Sequence, residues 1–112
     1  MAGYIAVDLD GTLAFYGDSH DALHVGEPIP AMVDRVKAWL AKGIEVRIFT
    51  ARVSIPEHVR YVVPVIEAWC LKHIGRVLPV TCQKDYQMLR LYDARAVQVE
   101  MNTGRLIGVD EE

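Results

Sequence analysis

The stretch that most constrains this chain is Tyr4-Ile5-Ala6-Val7-Asp8-Leu9-Asp10-Gly11-Thr12-Leu13. A short apolar run stopped by Asp and Gly reads as a fully buried strand. Its two carboxylates then lie at the strand's carboxyl end, where open α/β sheets bind their ligands. In a straight strand Asp8 and Asp10 would share a face. Asp10 already sits at the bend before Gly11, however, so the two can differ in environment. Carboxylates in different environments can hold different protonation states, as a nucleophile and a general acid must. Taken alone, the stretch also reads as a strand ending in a solvated acidic turn, since Asp, Gly and Thr are common turn formers.

With 112 residues, the chain is expected to form one domain spanning 1–112. It is 52% apolar, which places it among globular rather than disordered sequences. Its net charge of −3 gives no electrostatic case for binding nucleic acid or an anionic membrane. Cys70 and Cys82 have no metal-ligand spacing, and no basic-then-apolar leader is read, so reduced thiols in a cytoplasm are expected. The most apolar long stretch, Tyr61 to Leu71, is broken by Pro64 and Glu67 and cannot span a bilayer.

Leu13 to Glu27 reads as a loop or small flap beside the carboxylates, too short for a cap domain. His20 and His24, near Asp18 and Asp21, have metal-ligand chemistry, but a solvated flap explains them better. Pro28-Ile29-Pro30 opens a helix whose apolar stripe is Ile29, Met32, Val33, Val36, Trp39 and Leu40, stopped at Gly43. Ile44 to Thr50 is a second strand. Strand, helix, strand implies a right-handed crossover and a parallel sheet, so Thr50 lands on the same edge as Asp8.

Ser54-Ile55-Pro56-Glu57 fits a capping box for a second helix, which Pro64 should kink or divide. Cys70 falls on that helix's apolar face and reads as core. Val77 to Cys82 is a third strand and Leu89 to Tyr92 a fourth, ending at Asp93. Val97 to Gly108 suggests a terminal hairpin or a short strand and turn.

Polar residues thus follow all four strands: Asp8 with Asp10, Thr50, Lys84 and Asp93. In a parallel sheet those loops converge. Their order and spacing resemble the four motifs of the haloacid dehalogenase-like hydrolase superfamily, the first written Asp-X-Asp-Gly-Thr, over nearly the whole chain. The resemblance implies a three-layer α/β sandwich with a mainly parallel, Rossmann-like sheet and no cap domain. It also implies a magnesium-dependent phosphatase acting on a small phosphorylated substrate.

On that reading Asp8 is the nucleophile that forms an aspartyl-phosphate. Asp10 protonates the leaving oxygen and then takes a proton from the hydrolytic water. Lys84 holds Asp8 and the phosphoryl group. Thr50, with Ala51 and Arg52 in the loop after it, binds phosphoryl oxygens through its hydroxyl and nearby backbone amides. Asp8, Asp93 and the backbone carbonyl of Asp10 form the Mg²⁺ site, a set of hard oxygens suited to that ion.

The chain departs from the family pattern at Ala94, where a second acid usually follows Asp93. That acid orders metal waters or the basic residue, so its absence points to weaker metal binding or a slower rate. For Arg52 and Arg95 a surface salt bridge competes with substrate contact. The runner-up function is a non-catalytic phosphoryl- or metal-binding module. A receiver-type signalling domain also combines acids, a threonine and a lysine, but its phosphorylated Asp follows a later strand. Without a cap, the site must be covered by a second copy of the chain or by a modest-sized substrate beneath the flap.

Overall fold

The computed structural model describes residues 3–17 and 21–109. Strand β1 (Tyr4–Asp8) forms where the apolar run predicts it. It pairs in parallel with β2 (Val46–Phe49) on one side and β4 (Met88–Tyr92) on the other. Strand β3 (Val80–Thr81) extends the sheet beyond β2, giving the order β3-β2-β1-β4. The registers Asp8↔Phe49, Phe49↔Thr81 and Val7↔Tyr92 bring the carboxyl ends of all four strands to one edge. A separate antiparallel ribbon, β5 (Gln98–Val99) with β6 (Leu106–Ile107), is the expected terminal hairpin.

Helix α1 (Pro30–Ala41) starts on a proline, whose missing N–H costs nothing in a first turn. The chain leaves it at Gly43. Val33 and Val36 of its predicted stripe are buried, and Met32, Trp39 and Leu40 pack around them. Helix α2 (Val59–His73) buries Val62, Ile66, Trp69 and Cys70. Each such side chain withdrawn from water stabilises the fold by roughly 1.5–3 kcal/mol. Burial also pushes the Cys70 thiol up to about 11, as suits a core residue rather than a reactive one.

Two local expectations are corrected around α2. The capping box does not form: the Ser54 hydroxyl donates to the Ala51 carbonyl, and a 3₁₀ turn (Pro56–His58) precedes the helix. Pro64 does not divide α2, which runs unbroken through it. Pro64 is exposed near the helix start, so the hydrogen bond it removes lies on the solvent side.

The third layer is corrected too. Side chains alternate across a strand, and Val7 and Leu9 join Val46 and Ile48 in one cluster with the buried residues of both helices. Tyr4, Ala6 and Asp8, with Arg47 and Phe49, therefore face the other way; the Arg47 guanidinium lies 3.9 Å from the Tyr4 ring centroid. Among the described residues both helices cover the same face, and no helix covers the second. The reason is the connection from β3 to β4, residues 82–87. A parallel crossover carrying its own helix needs about a dozen residues or more.

The flap is pinched at its base, where Phe15 N–H donates to the Glu27 carbonyl (2.7 Å) and Ile29 N–H to that of Leu13 (2.8 Å). Asp18 and His20 lie outside the described residues. Among the described residues no helix is long and apolar enough to cross a membrane.

Candidate active site

The turn after β1 is built by Gly11, whose φ of +86° favours glycine. It lets the Leu9 carbonyl accept from the N–H groups of Thr12, Leu13 and Ala14, so the chain curls back at the strand end. That curl leaves Asp8 and Asp10 on the wall of an open cavity of about 290 Å³. Phe49, Thr50 and Ala51 line it from the end of β2, Asp93 and Arg95 from the end of β4, and Tyr16 from the flap.

Asp8 is half-buried and is the perturbed acid of the site. Burial, the Asp93 charge and the Asp10 charge, in that order, raise its carboxyl from 3.8 to about 6, against an opposing hydrogen bond from Thr12. The Thr12 hydroxyl reaches Asp8 Oδ2 at 3.5 Å and accepts from Ala94 N–H at 2.9 Å. Thr12 thus ties the β1 turn to the turn after β4. In that second turn Asp93 Oδ1 accepts from Arg95 N–H at 2.8 Å.

Asp10 is held quite differently. Arg52 grips both its oxygens, Nε to Oδ2 at 2.9 Å and Nη2 to Oδ1 at 2.8 Å, in a partly buried two-pronged pair. The third nitrogen, Nη1, donates to the Ala22 carbonyl at 2.9 Å. Arg52 therefore joins the general-acid candidate to the flap. Thr50 is almost fully buried; its hydroxyl accepts from Arg52 N–H at 3.1 Å and keeps its own proton to donate.

The structure thus brings together Asp8, Asp10, Thr50, Ala51 and Asp93 of the residues expected from the sequence. Arg52 is bound to Asp10 and lines a smaller neighbouring cavity with Phe15, Gly17 and His24. Lys84 is exposed in the loop after β3 and does not line the main cavity. Sequence reasoning gave no separate role to Thr12, which only its place in the Asp-X-Asp-Gly-Thr pattern signals. For Arg95 the sequence leaves substrate contact behind a surface salt bridge, and the structure places it on the cavity wall. In the flap, the Asp21 carboxylate accepts from Leu23 N–H at 2.9 Å and so serves as a turn former. Phe15 and Tyr16 of the flap are 64% and 43% exposed.

Among the described residues no three His, Cys, Asp or Glu side chains stand close enough to form a metal cluster. The set implied by the resemblance needs only two carboxylates, Asp8 and Asp93, with the Asp10 carbonyl. Among the described residues no backbone N–H donates to that carbonyl, so it keeps its capacity as an oxygen ligand. The donors are hard and the acids crowd one another, which fits a Mg²⁺ site. Comparison with family models, with curated proteins and with solved structures finds no match to this chain.

Proposed function

We propose that this chain is a magnesium-dependent phosphatase that hydrolyses a small phosphate monoester through an aspartyl-phosphate on Asp8. The observation that carries the reading is the convergence of Asp8, Asp10, Thr50 and Asp93 on one cavity at the carboxyl edge of a parallel sheet. The motif order, which resembles that of haloacid dehalogenase-like hydrolases, supplies the roles.

An Asp8 oxygen attacks phosphorus; the new O–P bond forms as the ester P–O bond breaks, and the leaving oxygen takes a proton from Asp10. Water then gives a proton to Asp10 and displaces Asp8, releasing phosphate. The Thr50 hydroxyl donates to a phosphoryl oxygen. Bound Mg²⁺ would neutralise charge on the transferring group. Asp10 cannot donate while Arg52 occupies both its oxygens, so the reactive state requires one of those bonds to open. The two free thiols suit a reducing cytoplasm. The open cavity suits either a substrate seated under Tyr16 or a second copy of the chain as cover.

A generic aryl phosphate should be turned over with Mg²⁺, and a chelator should abolish the activity. No turnover at any Mg²⁺ concentration would leave the alternative, a non-catalytic phosphoryl-binding module, which the Arg52 grip on Asp10 and the absent acid at Ala94 favour. Asp10→Asn should cost about 10²–10⁴-fold in kcat/KM, which reports the leaving-group step alone, on alkyl phosphates. The loss should be much smaller on nitrophenyl phosphate, whose leaving oxygen needs no proton. Equal losses on both substrates would remove the general-acid role.

A further inference from the structure

The cavity holds three carboxylates, yet on the reading above it must accept a phosphoryl dianion, so it needs a cation that is free to bind one. We infer that in this chain Arg95, not Lys84, is that cation; the inference rests on the proposed phosphoryl site. Among the described residues three lysine or arginine side chains lie on the loops of the carboxyl edge. Lys84 is exposed and absent from the cavity wall. Arg52 is paired with Asp10 and its third nitrogen donates to the Ala22 carbonyl; opening one of its two bonds to Asp10 leaves the other, so its charge stays with that carboxylate.

Arg95 lines the cavity with Asp8 and Thr50. Among the described residues its guanidinium makes no ion pair, its ring contact being with Tyr16 at 6.0 Å. Its backbone is nevertheless fixed. Arg95 N–H donates to Asp93, and the adjacent Ala94 N–H donates to the same Thr12 hydroxyl that reaches Asp8. The turn that presents Arg95 is therefore registered against the nucleophile. Ala94 brings no carboxylate to compete for it. A planar guanidinium can engage two phosphoryl oxygens at once, a geometry that a lysine ammonium cannot reproduce.

Inorganic phosphate binding, measured by titration calorimetry in excess Mg²⁺, tests this directly. Arg95→Ala should weaken binding roughly 10- to 100-fold, the range for a lost charge-assisted pair. Arg95→Lys should recover only part of the loss, and Lys84→Ala should lose less than Arg95→Ala. Arg95 is exposed, so its variants should melt with the wild type, which separates lost binding from lost folding. The inference is overturned if Arg95→Ala binds phosphate as the wild type does, if Lys84→Ala shows the larger loss, or if the wild type binds no phosphate.

Aryl phosphate turnover keeps the two readings apart. Phosphate binding that depends on Arg95 without turnover retains this inference and removes the phosphatase. Turnover with phosphate binding indifferent to Arg95 does the reverse.

Discussion

Asp8→Asn is expected to lose aryl phosphatase activity by at least about a thousandfold, because the proposed nucleophile is gone, and yet to melt at a higher temperature than the wild type. The second half follows from proton linkage. The folded chain holds the Asp8 proton up to about 6, against an ordinary value of 3.8. The Asp8 contribution to stability is therefore fully present below the ordinary value and is lost as pH rises through about 6.

At neutral pH the wild type carries a carboxylate that burial and two neighbouring acids disfavour; the amide has no charge to disfavour. A half-buried group is partly screened by solvent, which reduces the difference to the order of 1 kcal/mol, or a few degrees in Tm. The gap should be measured with a chelator present, should be widest near neutral pH, and should close as pH falls towards 4. Added Mg²⁺ should raise the wild-type Tm and leave that of Asp8→Asn nearly unmoved. A variant that is less stable at neutral pH and indifferent to pH would show that Asp8 is an ordinary solvated acid. One that retains turnover would show that it is no nucleophile.

Such a conflict between stability and function would be expected of a catalytic site, and the outline of the candidate site is legible in the sequence. The run Tyr4 to Asp10 announced both the central strand and the acids at its end, because burial and turn chemistry act there within ten residues. The α1 stripe and the parallel crossover then put Thr50 on the same edge. The rest depended on contacts between distant residues. Nothing in the neighbourhood of Arg52 says that it will close on Asp10, or around Thr12 that its hydroxyl will hold the turn at Ala94.

The sequence puts Lys84 after a third strand, Val77 to Cys82, that in the fold is only Val80–Thr81, followed by a connection too short for a helix. A loop residue after so short a strand has no periodicity to aim it. The missing helical layer has the same origin. At Ser54 the local pattern was present, but the hydroxyl found the Ala51 carbonyl and the proline-led 3₁₀ turn displaced the cap.

The largest loss of stability is expected from a residue that does not line the main cavity. Gly26→Ala should destabilise the chain by about 2–4 kcal/mol, lowering Tm by roughly 10–20 °C for a domain of this size. A Cβ on Gly26 would fall 2.0 Å from the Phe15 carbonyl oxygen, so backbone would have to move; no side-chain rotation relieves it. The same closeness lets Phe15 N–H bond the Glu27 carbonyl and closes the base of the flap. The Gly26 carbonyl in turn accepts from Trp69 Nε1 at 2.8 Å, fastening the flap to α2. Opening that base strands the largely buried indole N–H and shifts Tyr16 and the Ala22 carbonyl, which reach the site through the cavity wall and through Arg52.

The variant should therefore lower the urea midpoint with an unchanged m-value, alter the Trp69 emission, and raise KM for aryl phosphate in the fraction that remains folded. An unchanged midpoint would show that the flap does not approach Phe15 as closely as described. A lowered midpoint with KM intact would show that the flap supports the fold without shaping the site.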